Sequence, residues 1–192
     1  TQAGLQDISV MRSIPNIKIF QPASAIETTE ILRHCLNLKV PSYIRISRQA
    51  NKEIYKKDYK FIEGKAYVIK NDMKDGVIFT SGNMVERCLD AANMMKEKYK
   101  IGVVNIPSIK PLNTSSILKI ISKTKKVFSV EDHSINGGLG STILELISEH
   151  NVKKPLYLHG LKDFTQSGGV EELYKYYNLD GAGIAKFLSK NY

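Results

Sequence analysis

Residues with the chemistry of an active site are few and scattered in this sequence. The four histidines lie far apart, and neither cysteine has a Cys or His neighbour at metal-ligand spacing. No Gly-x-Ser-x-Gly segment is present to place a nucleophilic serine on a strand-to-helix turn. The residues concerned are His34, His133, His150, His159, Cys35 and Cys88. We therefore predict no catalytic residue and no metal ligand in this chain, and we interpret the cysteines as buried free thiols.

Two other features have the chemistry to bind a phosphate. Arg48 follows an apolar run, and its guanidinium would offer a planar fork of donors at a strand end, where open α/β sheets bind ligands. Considered without further information, a surface arginine paired with an acid is the favoured interpretation. Gly137, Gly138 and Gly140 precede a helical pattern, where backbone N–H groups can approach an anion. Their spacing differs from the dinucleotide fingerprint, so a tight turn is favoured there.

The elements that would position Arg48 form a βαβ pattern. The pattern predicts a helix at 5–14, a strand at 17–20, a helix at 26–37 and a strand at 43–47. Ser24 and Glu27 fit a capping box at the start of the second helix. A parallel sheet is apolar on both faces and needs more than two strands. We therefore expect further strands from residues upstream or from a partner chain.

The rest of the chain predicts a linker and then an α/β domain. Residues 50–65 are polar and lysine-rich, with aromatic residues that we expect to pack on a domain surface. From residue 66, strands at 66–70, 77–81, 101–106, 126–131 and 155–159 alternate with helices after Gly82, Pro111, Gly138 and Gly168. This alternation is typical of a three-layer α/β domain with a mostly parallel sheet, here of five strands.

The charge pattern argues against nucleic acid as a partner. The formal net charge is +9, and phosphate backbones attract clustered Lys and Arg. The lysines are instead spread along the chain with acids interleaved, which favours a solvated surface. No apolar run approaches the roughly 18 residues of a membrane span, and no signal-peptide pattern is present. We expect no nucleic acid and no membrane partner, and a cytoplasmic location.

Six segments in order carry a resemblance to the transketolase family. They are residues 1–16 (TQAGLQDISVMRSIPN), 21–28 (QPASAIET), 41–49 (PSYIRISRQ), 109–112 (IKPL), 130–140 (VEDHSINGGLG) and 164–168 (FTQSG). The first is similar to the family pattern Thr-His-x-x-x-x-Asp-Ile-x-x-Met-Arg-x-Ile-Pro-Asn, and the third to its Ser-Arg-Gln strand end. One such segment would be weak, but together they cover nearly the whole chain. The resemblance implies the end of a pyrimidine-binding domain at 1–49, a linker at 50–65 and the transketolase C-terminal domain at 66–192.

The resemblance also implies a function. Transketolases move a two-carbon ketol unit between sugar phosphates with thiamine diphosphate and Mg²⁺, and the cofactor carries the hard chemistry. Their principal cofactor ligands lie in regions absent from this chain, so the resemblance implies no cofactor-binding residue here, and this chain alone is expected to be inactive. The partners implied are the N-terminal transketolase half, in the same or a separate chain, a homodimer partner and sugar phosphates.

Two substrate-binding residues follow from the resemblance. Arg48 matches the arginine that helps to hold the substrate phosphate, which makes this role the favoured one. Gln2 occupies the place of a histidine that faces the substrate; glutamine can exchange hydrogen bonds but cannot carry a proton near neutral pH. His133 lies in a domain without direct chemistry and is interpreted as structural. The alternatives are a related thiamine enzyme, such as deoxyxylulose-phosphate synthase or a ketoacid dehydrogenase β subunit, and a non-catalytic assembly or dimerisation module.

Overall fold

The N-terminal part of the chain is a βαβ unit. The computed structural model describes residues 4–49 and 51–192. The unit consists of α1 (Asp7–Ser13), β1 (Lys18–Phe20), α2 (Ala25–Cys35) and β2 (Ser42–Ile44). The two strands are parallel, with Ile19 opposite Tyr43, and α2 buries Ile31. The predicted βαβ unit is therefore confirmed, with each element somewhat shorter than predicted.

The start of α2 is fixed by Ser24, although the predicted capping box is only half formed. The Ser24 hydroxyl accepts a hydrogen bond from the backbone N–H of Glu27 (3.3 Å). The Glu27 carboxylate bonds instead to the backbone N–H of Ala23 (2.7 Å). It is completely buried, where it also accepts from the Tyr59 hydroxyl (2.7 Å) and the Asn105 amide (3.0 Å). Burial raises the pKa of Glu27, and these donors act in the opposite direction.

The second half of the chain forms a five-stranded sheet. The strands beyond the N-terminal unit are β3 (Tyr67–Lys70), β4 (Gly76–Thr80), β5 (Ile101–Asn105), β6 (Ser108–Lys110), β7 (Lys126–Ser134) and β8 (Leu156–Leu161). The sheet has the order β3-β5-β4-β7-β8, and β3 alone is antiparallel to its neighbour. The predicted fold class is confirmed. β7 continues three residues beyond the predicted end and carries Asp132 and His133 towards the N-terminal unit.

β6 belongs to the other sheet. It pairs antiparallel with β1, with Phe20 opposite Ser108, and gives the small sheet the order β2-β1-β6. We expected the neighbours of the parallel pair to come from outside the chain; on the β1 side this was wrong, because the neighbour is β6. On the β2 side the part of the chain that the structure describes supplies no strand. The expectation of an outside strand stays a prediction there.

Helices cover both faces of the five-stranded sheet. They are α3 (Met84–Met94), α4 (Thr114–Ser122), α5 (Leu139–Glu149), α6 (Val170–Tyr176) and α7 (Gly181–Lys190). One apolar cluster joins α4 and α5 to one face and includes Ile8 and Ile19 of the N-terminal unit. A second cluster joins α3 and α7 to the other face. The predicted three layers are thus present, and no helix in the described ranges is long and apolar enough to cross a bilayer.

Helix α7 was not among the predicted elements. Gly181 and Gly183 lie in its first turn, and glycine is a poor helix former. Asp180 compensates, because its carboxylate accepts a hydrogen bond from the Gly183 backbone N–H (2.9 Å). Burial of Ile184 and Leu188 against the sheet then fixes the helix.

Residues 51–65 contain no helix or strand and run along both parts of the chain. Tyr55 stacks on Tyr59 with ring centroids 4.0 Å apart, and Tyr59 contacts Tyr67 of β3 (5.1 Å). Phe61 meets Phe20 of β1 edge to face (5.6 Å). These contacts agree with the predicted strap of aromatic residues. The domain boundaries at 49 and 66 stay predictions.

The glycine run before α5 is a tight turn around a carboxylate of the chain itself. Gly137 has a φ of 80°, which glycine adopts without strain. The Glu131 carboxylate accepts hydrogen bonds from the backbone N–H groups of Leu139 (2.9 Å) and Gly140 (3.0 Å). A side chain at Gly138 would collide with this carboxylate. Glu131 therefore fills the position at the start of α5 where an anion would bind.

The free energy of unfolding should fall between pH 4.5 and about 7 because of Glu131. Burial raises the pKa of this carboxyl from 4.5 to about 7, against the lowering effect of Gly140 and Leu139. The proton is then held more tightly in the folded than in the unfolded chain. The resulting stabilisation is complete below pH 4.5 and is lost as the pH rises through 7. Urea unfolding across this range measures it, and Glu131→Gln should flatten the curve; an unchanged slope in that variant would contradict the prediction.

Candidate functional site

A cleft of about 540 Å³ opens at the carboxyl ends of β1 and β2. The N-terminal unit contributes Asp7, Gln21 and residues 43–49 to its wall, and the second half contributes Asp132 and Tyr174 among others. In open α/β sheets, ligands bind at this edge, just beyond the ends of the strands. The cleft is therefore the candidate functional site.

Arg45 lies in this cleft between two carboxylates. Its Nη1 is 2.6 Å from Asp132 Oδ1, its Nη2 is 3.1 Å from the Asp132 carbonyl oxygen, and its Nε is 3.1 Å from Asp7 Oδ2. Burial lowers the pKa of Arg45, but the charges of Asp132 and Asp7 outweigh this and keep the pKa above its ordinary value. A desolvated ion pair contributes little net stability. What it provides is a fixed geometry between the two halves of the chain.

Two tyrosines add hydrogen bonds to these carboxylates. The Tyr43 hydroxyl donates to Asp7 Oδ2 (2.7 Å), and the Tyr174 hydroxyl donates to Asp132 Oδ2 (3.2 Å). Burial and the neighbouring acids raise the pKa of both tyrosines to about 12. Both hydroxyls therefore stay protonated and act as donors at neutral pH.

Arg48 reaches the cleft from an exposed position. It lines this cleft and an adjoining cleft of about 610 Å³, whose far wall includes Thr165 and Ser167. Within residues 4–49 and 51–192, the arginines that form ion pairs are Arg12, Arg33, Arg45 and Arg87. The alternative interpretation of Arg48, a surface arginine paired with an acid, thus finds no acid there. Gln2, the other predicted substrate-binding residue, lies outside the described residues.

Arg87 supports the rim of the cleft from α3. Its guanidinium lies 3.8 Å from the centroid of the Tyr174 ring and makes two hydrogen bonds, of 2.7 and 3.0 Å, to the Glu171 carboxylate. A cation over an aromatic face is attracted by the ring quadrupole. The contact therefore fixes the ring whose hydroxyl bonds to Asp132.

His133 lies below the cleft and not in it. Its side chain is completely buried, with Nδ1 2.6 Å from the Ser134 carbonyl oxygen and Nε2 3.8 Å from Asp7 Oδ1. Burial lowers the pKa of His133, which favours the neutral ring. These contacts agree with the structural role expected from the sequence.

The network around Arg45 was missed by sequence reasoning. Arg45 and Asp132 are both in segments that carry the family resemblance, but no role was given to them. A signal was present, because Tyr43, Arg45 and Ser47 share one face of the predicted strand. A charged residue on a face next to buried apolar residues must find a partner.

Two observations bear on whether the described residues could hold a diphosphate cofactor with its metal ion. No group of three or more His, Cys, Asp or Glu residues in the described ranges is arranged to hold a metal ion. The one glycine-rich helix start identified in the sequence is filled by the Glu131 carboxylate.

Two family models match the chain. The transketolase C-terminal domain matches residues 64–184, and the transketolase pyrimidine-binding domain matches residues 1–53. Together they cover both halves of the structure that border the cleft.

Curated relatives are similar over nearly the whole chain. One of the subunits of the apulose-4-phosphate transketolase of Actinobacillus succinogenes is 35% identical over 96% of this chain and 60% of its own length. The 1-deoxy-D-xylulose-5-phosphate synthase of Caldanaerobacter subterraneus subsp. tengcongensis is 38% identical over 100% of this chain and 31% of its own. The chain thus spans about 60% and 31% of the length of these two relatives.

Solved structures give the same result. A split-gene transketolase, described as an inactive beta4 tetramer, superposes with a TM-score of 0.92 at 30% identity, over 97% of this chain and 61% of that one. The transketolase of Campylobacter jejuni superposes with a TM-score of 0.75 at 21% identity, over 97% of this chain and 28% of that one. The second match shows a shared fold.

Proposed function

This chain belongs to the transketolase family, and we propose that it is the C-terminal portion or subunit of an enzyme that transfers a two-carbon ketol unit between sugar phosphates. The family consists of thiamine-diphosphate-dependent transferases. When bound, the cofactor supplies the electron sink for breaking and forming the carbon–carbon bond. The contribution of this chain is to bind and orient the sugar.

The observation that carries the proposal is the position of Arg48. It lies beyond the end of β2, exposed at a cleft between the two halves of the chain, and a guanidinium is suited to planar, bidentate recognition of a phosphate. We propose that Arg48 binds the substrate phosphate. We also propose that Gln2 orients the sugar through hydrogen bonds without exchanging a proton.

We propose that thiamine diphosphate and Mg²⁺ are held mainly outside this chain. The N-terminal transketolase half would hold them, in the same polypeptide or in a separate one. A relative that is named as one of the subunits of a transketolase supports a separate partner, and the inactive beta4 tetramer among the solved structures supports an inactive chain alone. A homodimer and a cytoplasmic location complete the proposal.

A related thiamine enzyme is the second candidate. Deoxyxylulose-phosphate synthase is supported by a relative 38% identical to this chain. The Ser47-Arg48-Gln49 strand end favours a transketolase instead. Mass analysis of the product distinguishes the two, because the two-carbon ketol unit that a transketolase transfers carries a terminal hydroxyl, which a 1-deoxy sugar product lacks. A module that only assembles would give no product at all.

Calorimetry and a transfer assay test the proposal together. The isolated chain should not bind thiamine diphosphate tightly in the presence of Mg²⁺. It should also not transfer a ketol unit to D-ribose 5-phosphate. Addition of the diphosphate-binding half should restore both. Micromolar cofactor binding to this chain alone would contradict the placement of the cofactor, and a correctly assembled pair without transfer activity would favour the assembly module.

A further inference from the structure

The segment that carries Arg48 leaves the sheet three residues before it. The last backbone hydrogen bond that ties this segment to β1 runs from the Arg45 N–H to the Phe20 carbonyl oxygen (2.9 Å). Within the described part of the chain, no backbone hydrogen bond holds residues 46–49 to another strand. The bond nearest to Arg48 is local, from the Gln49 N–H to the Ser47 hydroxyl (3.0 Å). The segment is therefore held at its two ends, at Arg45 where the sheet ends and at Asn51, whose side-chain amide donates to the Ala23 carbonyl oxygen (3.1 Å) and to Asn83 Oδ1 (3.0 Å).

The side chain of Arg45 is fixed at that point by the second half of the chain. Asp132 accepts two hydrogen bonds from its guanidinium, one at Oδ1 (2.6 Å) and one at the backbone carbonyl (3.1 Å). Asp132 is fixed in turn by Tyr174 (3.2 Å) and Gln21 (3.3 Å). Because a bidentate arrangement defines the plane of the guanidinium, Asp132 fixes both the position and the orientation of Arg45.

We propose that Arg45 and Asp132 act as a positioning clamp, through which the C-terminal half of the chain holds Arg48 in the geometry that binds the substrate phosphate. The inference rests on the proposed role of Arg48. It gives the C-terminal half, which contributes no reacting group, a part in substrate affinity. Arg45 and Asp132 are positioning residues, since their hydrogen-bonding groups are occupied by each other, by Asp7, by Tyr174 and by Gln21.

The structure offers a matched control. Arg12 and Glu145 form another Arg–carboxylate pair between the N-terminal unit and the second half (2.5 Å). That pair borders a different cleft, next to Pro111 and Glu149. Its acid is more exposed than Asp132, with 63% of the Glu145 side chain accessible against 14% for Asp132. Breaking it removes a link between the same two halves without touching the segment of Arg48.

The test is a double-mutant cycle on the enzyme assembled from this chain and the diphosphate-binding half. Asp132→Asn should raise KM for D-ribose 5-phosphate about three- to tenfold, a coupling of about 0.7–1.4 kcal/mol between residues that act through one another. It should leave kcat and the KM for D-ribose unchanged. When Arg48 is already alanine, adding Asp132→Asn should raise the KM for D-ribose 5-phosphate by a further factor of less than about two. Tyr174→Phe should act in the same direction and more weakly, and Glu145→Gln should leave both KM values unchanged.

Two results would overturn the clamp. If Asp132→Asn raises KM equally for D-ribose 5-phosphate and D-ribose, Arg45 and Asp132 only link the two halves. The same follows if Asp132→Asn raises KM as much in the Arg48→Ala variant as it does in the wild type. If the Asp132→Asn variant does not assemble, the same double-mutant cycle with Arg48→Ala is measured with Tyr174→Phe in its place, and that result decides. The two proposals also fail differently. Equal effects of Arg48→Ala on both sugars overturn the phosphate role of Arg48, whereas a selective Arg48→Ala without coupling overturns the clamp alone.

Discussion

Replacing Arg48 by alanine is expected to lower kcat/KM for a phosphorylated acceptor roughly tenfold to a hundredfold in the complete enzyme. A charge-assisted hydrogen bond contributes roughly 1.5 to 3 kcal/mol, and each 1.4 kcal/mol is a factor of ten. The effect should lie mainly in KM, because the guanidinium contacts a phosphate that takes no part in the bond changes. An unphosphorylated sugar of the same chain length, such as D-ribose beside D-ribose 5-phosphate, should be spared.

Two further variants make this comparison specific. Arg48→Lys should recover part of the loss, since an ammonium keeps the charge but not the planar fork of donors. Arg33→Ala removes another exposed arginine, one paired with Glu30 on α2, and should leave both sugars unaffected. Equal losses on both sugars after Arg48→Ala would mean that Arg48 is structural. No loss on either would place it outside the site.

The layers of this fold were predictable because they depend on local periodicity. Each strand of the five-stranded sheet lies within about three residues of its predicted span, since apolar runs and helical faces are properties of neighbouring residues. β6 was not predictable in this way. It has three residues, and its partner β1 lies about ninety positions earlier, so tertiary pairing decides it.

The same distinction applies to the site. Arg48 was identified because its segment resembles a family strand end, and its neighbours in the sequence carry that information. The partner of Arg45 is 87 residues away, and nothing in either local segment specifies the pairing. Glu27 shows the intermediate case. Its spacing from Ser24 correctly predicted the start of α2, but its carboxylate is directed to Tyr59 and Asn105, which are remote in the sequence.

Glu27 gives the largest stability effect that we expect. Its carboxylate is 0% exposed and is surrounded by donors from three parts of the chain: the Ala23 N–H, the Tyr59 hydroxyl and the Asn105 amide. Removing it takes the carboxylate acceptor from all three donors, of which the Asn105 amide keeps only Tyr55 as a partner, and a buried donor without its acceptor costs about 1–3 kcal/mol. With three donors affected, Glu27→Ala should therefore lower the free energy of unfolding by about 3–5 kcal/mol.

Two milder substitutions test whether the stability lost in Glu27→Ala comes from the donors around the carboxylate. Tyr59→Phe removes one hydrogen bond and should cost about 0.5–1.5 kcal/mol. Glu30→Ala, on the same helix, removes an acid whose partners Arg33 and Lys60 are exposed, and should cost less than about 1 kcal/mol. Urea unfolding of the four proteins at one pH gives the order. If Glu27→Ala costs no more than Glu30→Ala, the donors must reach water in the folded chain, and Glu27 does not hold the linker segment to both halves.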